Sequence, residues 1–391
     1  MARVQGPEKV KLARDFLFAW RAIANGVTHQ TSKTQQKYWE HWCSYTHACK
    51  SSPDLQQEST LHKAILLTGF AARVRTGALG LGYEVKVQTV SDAMAAISAS
   101  LELGGKRSPA LKAEGEFITP LKRCLEGFRR DDPPAIPQLA VPVKLINHIS
   151  TTGFSTSNPL TQATASLITI AFYYLLRVGE YTSPRRVKVN GKWKAATRTR
   201  QFCVQDVGFF KEGKVLTRKS PLATLLTADS ATLKISNQKN GKMGQTIHHE
   251  STGSTGAVAA LAHRVHHILA NGGKESMLLC MVHHNDTWTP VSSTTINSTL
   301  RSHAKTLKLQ AQGIDPDIIG SHSLRAGGAM ALKLQDYPDT TIQKMGRWSS
   351  STWLQYIHTQ IAHISKGVAS KMSEELPFLN IGFIEPPTSL T

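Results

Sequence analysis

A histidine and an arginine lie three residues apart in GSHSLRAGGAMAL, residues 320–332. Ser321 is a favourable N-cap residue, so we predict a helix that begins there and carries His322 and Arg325 on one face of its first turn. The free backbone N–H groups of a helix start favour anions, and the arginine fork matches two phosphate oxygens. The pattern predicts phosphate recognition, and a solvated helix start is the alternative reading.

A second arginine, Arg177, follows an apolar run in YYLLRVGEYT. The run predicts one buried helix over 160–181. An unpaired charge beside such a helix would be costly, so Arg177 needs an anion or a nearby acid. Glu180, three residues further on, is the acid at hand, and a pair that only ties down a helix end is the other interpretation.

The charge of the chain indicates the kind of partner. Lysine and arginine number 46 against 27 aspartate and glutamate, a net charge of +19, which favours a polyanion such as nucleic acid. No apolar segment is long enough to cross a bilayer, so no membrane partner is expected. The basic start of the chain has Asp15 in its apolar patch, so we expect no secretory signal and an intracellular location.

Metal and nucleotide motifs are not found. Five scattered cysteines predict free thiols rather than disulfides. Seven histidines are candidate metal ligands, but three of them lie in a stretch with the period of an ordinary amphipathic helix, so we predict no metal site and no cofactor. The seven are His248, His249, His263, His266, His267, His283 and His284. No phosphate-binding loop of the ATPase type is present.

Three short segments, in order, resemble the catalytic boxes of the tyrosine recombinase (phage integrase) family. They are LLRVGEYT, HSLRAGGA and MGRWSSSTWLQYIH, the last at residues 345–358. The resemblance implies that Arg177 with Glu180 forms the first box, that His322 with Arg325 forms the second, and that Tyr356 is the nucleophile of the third. The family's lysine on a β-hairpin corresponds best to Lys239, with Lys242 as the second choice.

The third box departs from the common family pattern. Most members have His or Trp nine residues before the tyrosine, whereas this chain has Arg347 there and Trp348 one residue later. We expect Trp348 to take the packing and hydrogen-bonding role and Arg347 to add a phosphate contact. Which of the two fills the family position is left open by the sequence. The motif GRWSS resembles the corresponding segment in recombinases of eukaryotic mobile elements such as cryptons. Membership of that branch would imply a nuclear location.

The resemblance implies a chemistry without metal or ATP. Tyr356 would attack a DNA phosphodiester, leaving a 3′-phosphotyrosyl link and a free 5′ hydroxyl. The arginines would stabilise charge on the phosphate, His322 would assist proton removal, and Lys239 would protonate the leaving oxygen. Strand exchange would pass through a Holliday junction in a homo-tetramer on double-stranded DNA, with the free protein a monomer or dimer. Alternatives are a DNA-binding descendant without catalysis and a type IB topoisomerase-like enzyme.

The expected fold is mainly α with a small antiparallel β region. We predict an N-terminal extension (1–34), a helical core-binding (SAM-like) DNA-binding domain (35–130), a proline-rich linker (131–141), an α/β tyrosine-recombinase catalytic domain (142–375) and a tail (376–391). Helices are predicted at 35–50, 61–77, 89–105 with Thr89 as N-cap, and 110–130; strands at 201–210, 214–218, 231–238 and 245–250, with a hairpin turn at 239–244. A helix over 359–376 would dock on a neighbouring subunit or on its own domain.

Overall fold

The computed structural model describes most of the chain in two compact units. The described residues are 15, 29–80, 82–134, 139–183, 186–189, 192–195, 200–235, 244–348, 350, 353–354 and 370. The first unit comprises residues 1–136 with 184–198, and the second comprises residues 137–183 with 199–391. Among the described residues, no helix has the length and apolarity to span a bilayer.

Four helices lie in the described part of the first unit. They are α1 His29–Ala48, α2 Thr60–Arg75, α3 Val87–Leu103 and α4 Thr119–Asp131; a hairpin of β1 Arg186–Val189 and β2 Lys192–Ala195 also belongs to this unit. The helices share one apolar core in which Trp42 of α1 meets Phe70 of α2 edge to face, at a centroid distance of 5.1 Å. Their periodic apolar positions explain the core because each helix has one side to bury.

Three predicted boundaries in this unit are wrong. Helix α1 begins six residues before the predicted start at 35. Thr89 is not the N-cap of α3, because the Oδ2 atom of Asp132 accepts the N–H of Val87 at 2.9 Å and caps the helix two residues earlier. Tertiary contact supplied the acceptor that local sequence was expected to supply.

The fourth predicted helix, 110–130, starts only at Thr119. Leu111 and Phe117 instead form an antiparallel bridge, and the turn between them uses Gly115 at a φ of +81°. Glycine accepts this left-handed conformation at little cost, and Pro120 fits the first turn of the helix that follows.

The second unit combines eight helices with antiparallel strands in the part of the chain that is described. The helices are α5 Val143–Phe154, α6 Pro159–Tyr173, α7 Val178–Tyr181, α8 Leu222–Leu225, α9 Ala257–Ala270, α10 Ser293–Thr306, α11 Ser321–Lys333 and α12 Asp339–Gly346. The strands are β3 Val207–Lys211, β4 Lys214–Leu216, β5 Ser230–Lys234, β6 Thr246–Glu250, β7 Met281–His284 and β8 Thr287–Pro290. The sheet order is β4-β3-β5-β6, and β7 and β8 form a hairpin. The predicted mainly α class with a small antiparallel β region is confirmed.

One predicted strand, 201–210, is wrong in its first half. A 3-10 turn over Val204–Asp206 precedes β3, because the Oδ2 atom of Asp206 accepts the N–H of Cys203 at 2.8 Å and bends the chain. The strands predicted at 214–218, 231–238 and 245–250 correspond to β4, β5 and β6 with shifted ends. Of the predicted turn at 239–244, only residue 244 is among the described residues.

The single helix predicted over 160–181 is wrong. It divides into α6 and the one-turn helix α7, because Leu175 has a φ of +50° and turns the chain between them. Arg177 therefore precedes a new helix rather than ending a long one. A leucine backbone seldom adopts this left-handed conformation, because its Cβ atom makes it costly. Contacts from elsewhere in the fold therefore hold the turn.

Two adjacent glycines bring α11 close to the residues just before α5 and to the end of α6. A Cβ atom on Gly327 would lie 2.4 Å from the carbonyl oxygen of Val141, and one on Gly328 would lie 2.4 Å from the carbonyl oxygen of Phe172. Both distances are shorter than van der Waals contact, so only glycine permits this approach. The glycines thus set the distance from which Arg325, three residues before Gly328, reaches the end of α6.

Replacing Gly328 with alanine is expected to lower the free energy of unfolding by about 1–3 kcal/mol, because the added methyl meets backbone. Gly179 of α7 is the matched control, since a Cβ atom there would have nothing within 4 Å. Gly179→Ala is expected to be neutral or to stabilise by about 0.5 kcal/mol through the unfolded state. Denaturant unfolding of both variants checks this, and equal effects would contradict the close approach.

Candidate active site

The carbonyl oxygen of Leu175 is the point where two arginines meet. Its left-handed turn directs the carbonyl so that the Nη1 atom of Arg325 and the Nη2 atom of Arg347 both donate to it, the latter at 3.1 Å. The two donors lie 150 and 172 residues away in the sequence. A backbone carbonyl has two lone pairs and can accept both hydrogen bonds.

Arg325 is buried, with 2% of its surface exposed, and is held on three sides. Besides the Leu175 carbonyl, its Nη2 atom donates to the carbonyl oxygen of Gly346. Its guanidinium carbon lies 4.2 Å from the ring centroid of Trp348, a cation–π contact that stabilises the charge. The predicted box-two arginine is thus fixed in place by the predicted box-three segment.

Glu180 joins the two remaining arginines. Its carboxylate, 2% exposed, accepts hydrogen bonds from the backbone N–H of Arg177 at 2.8 Å, from the Nη1 atom of Arg177 at 3.4 Å and from the Nη2 atom of Arg347 at 2.9 Å. The side chain of Arg177 is 24% exposed, whereas that of Arg347 is wholly buried. Burial lowers the pKa of Arg347, the Arg177 charge adds to this, and Glu180 opposes both.

His322 lies exposed at the start of α11, three residues before Arg325. Partial desolvation and the Arg325 charge lower the pKa of His322 from its ordinary value. The predicted N-cap role of Ser321 is wrong: Gly320 is the N-cap, and the Oδ1 atom of Asn297 accepts the N–H of Ser321 at 2.8 Å. Asn297 of α10 therefore anchors the helix that carries both box-two residues.

Trp348 and Trp353 pack together in a small cluster with Leu175, at a ring centroid distance of 6.4 Å. Gly346 makes this packing possible, since a Cβ atom there would lie 1.7 Å from the Trp348 ring. Trp353 is a core residue, with 3% of its surface exposed. Trp348 packs against the guanidinium of Arg325, and Arg347 pairs with Glu180. Two adjacent residues therefore make the contacts at a place where the sequence pattern led us to expect one His or Trp.

Lys239, Lys242, Tyr356 and the predicted helix 359–376 lie outside the described residues, apart from residue 370. The two strands that flank the lysine segment, β5 and β6, are described and pair in register. Both are tied to the end of α6: the hydroxyl of Tyr174 donates to the carbonyl of Ala231 at 3.1 Å, and the Nε2 atom of His249 donates to the carbonyl of Tyr173 at 2.9 Å. The same chain segment thus anchors this hairpin and the Arg177 turn.

Sequence reasoning missed the Leu175 carbonyl and Asn297. A backbone acceptor carries no residue-type signal, and Asn297 acts on a helix start 24 residues later. Neither feature follows from any local spacing. The signal for Leu175 is indirect, in that its turn interrupts a helix which its own residue types favour.

The histidines do not assemble a metal site in the described part of the chain, where no group of three or more His, Cys, Asp and Glu is placed to hold an ion. The Nε2 atom of His267 accepts the backbone N–H of His283 at 3.0 Å. Burial, with nearby Arg264, lowers the pKa of His267 to about 4, which keeps the ring neutral. His267 has a structural role in joining α9 to β7.

Solved structures similar to this chain include integrases and recombinases. A structure of the Tn1549 transposon integrase (residues 82–397) in complex with circular intermediate DNA is 12% identical, with 80% of this chain and 85% of that chain covered and a TM-score of 0.42. XerA recombinase is 12% identical, with 92% and 97% covered and a TM-score of 0.37. XerH site-specific recombinase bound to difH substrate is 13% identical, with 79% and 70% covered and a TM-score of 0.44.

No family model matches the chain, and no curated protein is similar to it in sequence.

Two buried tyrosines next to the site are expected to respond differently to loss of their hydroxyls. Tyr174→Phe should lower the free energy of unfolding by about 1 kcal/mol, because the buried carbonyl of Ala231 loses its donor. Tyr181→Phe should be neutral or stabilising, because the buried Tyr181 hydroxyl has no hydrogen-bond partner within the described structure. Urea unfolding of the matched pair measures the difference, and a larger loss for Tyr181→Phe would contradict it.

Proposed function

We propose that this protein is a tyrosine recombinase, which cleaves and rejoins double-stranded DNA through a 3′-phosphotyrosyl link to Tyr356. The observation that carries the proposal is the convergence of three guanidiniums on two acceptors: Arg177 and Arg347 on the Glu180 carboxylate, and Arg325 with Arg347 on the Leu175 carbonyl. The group holds two positive charges in excess and lies largely buried. A buried cationic excess favours an anion, and a DNA phosphodiester supplies one.

The placement of the arginines suits a phosphate in a pentacoordinate transition state. Arg177 is the partly exposed member of the group, and Arg325 is held rigidly by two carbonyls and a ring. Donors whose positions are fixed before reaction stabilise developing charge without reorganisation. In this proposal the two arginines bind the non-bridging oxygens of the scissile phosphate, and Glu180 keeps Arg177 oriented.

Proton transfers complete the proposed reaction. The lowered pKa keeps His322 neutral at pH 7, so its ring can accept the proton of Tyr356 as the phosphorus–oxygen bond forms. Lys239, on the segment between β5 and β6, would give a proton to the departing 5′ oxygen, with Lys242 as the alternative. The tyrosine retains the 3′ phosphate, so the bond energy is conserved for resealing.

Strand exchange between two sites requires four active sites, and we propose a tetramer on DNA with a Holliday junction as intermediate. The basic excess of the chain supports DNA as partner. Two other activities are distinguished by product. A descendant without catalysis would bind DNA and form no covalent adduct, and a topoisomerase-like enzyme would relax supercoils without joining strands from different duplexes.

Covalent capture tests the proposed nucleophile. A pool of nicked duplexes with a randomised core is incubated with the protein, and DNA linked to protein in boiling detergent is recovered and sequenced. The native chain is expected to yield an adduct on a defined sequence, and Tyr356→Phe should lower its yield at least about 1,000-fold. Tyr337→Phe, at a tyrosine 48% exposed outside the site, is the matched control and should keep it.

An adduct in Tyr356→Phe, or none with the native chain on any sequence, would overturn the proposal. A native chain that enriches one sequence by binding but never links to it would instead be the catalysis-lost form.

The pH dependence of adduct formation tests His322. Because the pKa of His322 lies below the ordinary 6.5, the single-turnover rate constant should hold at pH 7 and fall only as the pH drops below about 6.5. His322→Gln removes the titrating group, so its rate constant should be lower by about 100-fold and flat across this range. An unchanged fall in His322→Gln would assign the titration to another group.

A further inference from the structure

Arg347 has an unusual backbone for its residue type. It ends α12 in the left-handed conformation, at a φ of +57°, and the N–H groups of Arg347 and Trp348 donate to the carbonyls of Lys344 and Gln343. This helix-ending position is usually taken by glycine, because a Cβ atom makes the conformation costly. An arginine here therefore indicates a requirement for its side chain.

The side chain connects the two halves of the site. Its Nη2 atom donates both to the carboxylate of Glu180 and to the carbonyl oxygen of Leu175. Glu180 is the partner of Arg177, and the Leu175 carbonyl is a partner of Arg325. Arg347 is thus in direct contact with one partner of each of the other two arginines.

Stability alone does not account for Arg347. The side chain is wholly buried, and its Nε and Nη1 atoms have no hydrogen-bond partner within the described structure. Burying a charge with two donors unsatisfied opposes folding. A hydrophobic side chain of similar volume would avoid that cost, so the guanidinium is explained by what it holds.

We propose that Arg347 is a positioning residue, which holds the Glu180 carboxylate and the Leu175 carbonyl in register so that Arg177 and Arg325 face one phosphate. The inference rests on the proposed function for its substrate. It differs from a phosphate contact by Arg347 itself, because the guanidinium is enclosed and its nearest charged partner is an acid. Both acceptors are reached from the Nη2 atom of a planar, rigid guanidinium, whereas a lysine ammonium sits on a flexible stem, which explains why arginine stands here.

The test compares four chains in two main measurements, with the dissociation constant for DNA and the thermal stability recorded for each chain as controls. The variants are Arg347→Met, Arg347→Lys and Arg264→Met, alongside the native protein. Arg264 is the matched control, a buried arginine of the same unit at 1% exposure, whose partners are the backbone carbonyls of Leu279 and Met281. The measurements are calorimetric binding of tungstate, a tetrahedral oxyanion, and the single-turnover rate constant for adduct formation at saturating DNA below the unfolding temperature of every variant.

Arg347→Met should slow adduct formation about 100-fold, as a small misplacement of the arginines would. It should weaken tungstate binding about tenfold, while the dissociation constant for DNA changes less than about twofold, because most DNA contacts lie elsewhere. Arg347→Lys should recover about tenfold of the rate through its charge on Glu180, but not all, because an ammonium on a flexible stem does not fix the direction of its N–H donors as a planar guanidinium does. Arg264→Met should lower thermal stability and leave both measurements unchanged.

A double substitution separates positioning from direct contact. If Arg347 acts through Glu180, Arg347→Met with Glu180→Gln should be no slower than the slower single variant, because the effects are not additive within one unit. Additive losses, or a changed DNA dissociation constant with an unchanged rate constant, would overturn the positioning role. If Arg264→Met slowed adduct formation as much as Arg347→Met, the effect of Arg347 would be one of general stability, and the positioning role would be overturned.

The tungstate measurement needs no reaction, so it separates this inference from the proposed function. A native chain that binds tungstate, loses it in Arg347→Met and forms no adduct would keep the positioning role and overturn the recombinase activity. A native chain that forms the adduct while Arg347→Met keeps both its rate constant and its tungstate affinity would do the reverse. Neither tungstate binding nor an adduct in the native chain would overturn both.

Discussion

The Leu175 carbonyl is the acceptor on which the geometry of the candidate site depends. A left-handed leucine interrupts an otherwise continuous apolar helix, and the freed carbonyl takes hydrogen bonds from two buried guanidiniums. Each feature requires the other. The turn is costly for leucine without those donors, and the arginines would be buried with fewer partners without the turn.

Charge within the site follows from the same arrangement. Glu180 neutralises one guanidinium and is shared by two, so the interior keeps a cationic excess that favourable carbonyl dipoles and the Trp348 ring make tolerable. Such a buried cationic group opposes folding, and it favours the binding of an anion. The buried arginine Arg264 differs, because its carbonyl partners join α9 to the segment around β7 with no acid involved.

Close packing turns these contacts into a rigid frame. Gly327 and Gly328 let α11 approach the end of α6, Asn297 anchors the start of α11, and Gly346 makes room for Trp348. Tyr174 and His249 attach β5 and β6 to the same helix end. The described residues of the site thus come from three segments that are distant in sequence, and they are held by backbone acceptors and small residues as well as by the ion pairs of Glu180.

Residue types and periodicity were sufficient for the mainly α class, for most helices of both units, and for Arg177, Glu180, His322 and Arg325 as candidates, because these patterns are local and charged types in an apolar context demand partners. Local pattern failed at Thr89, Ser321 and the helix over 160–181. In each case a group distant in sequence, namely Asp132, Asn297 or the pair Arg325 and Arg347, supplied the decisive hydrogen bond. Likewise, only the tertiary structure decided that Arg347 pairs with Glu180 while Trp348 packs against Arg325. Arg347 itself has the left-handed backbone, so it and the next residue meet different partners. The sequence by itself determined which charges are present, and the tertiary structure decided which of them share an acceptor, because hydrogen-bond geometry depends on positions that residue order does not encode.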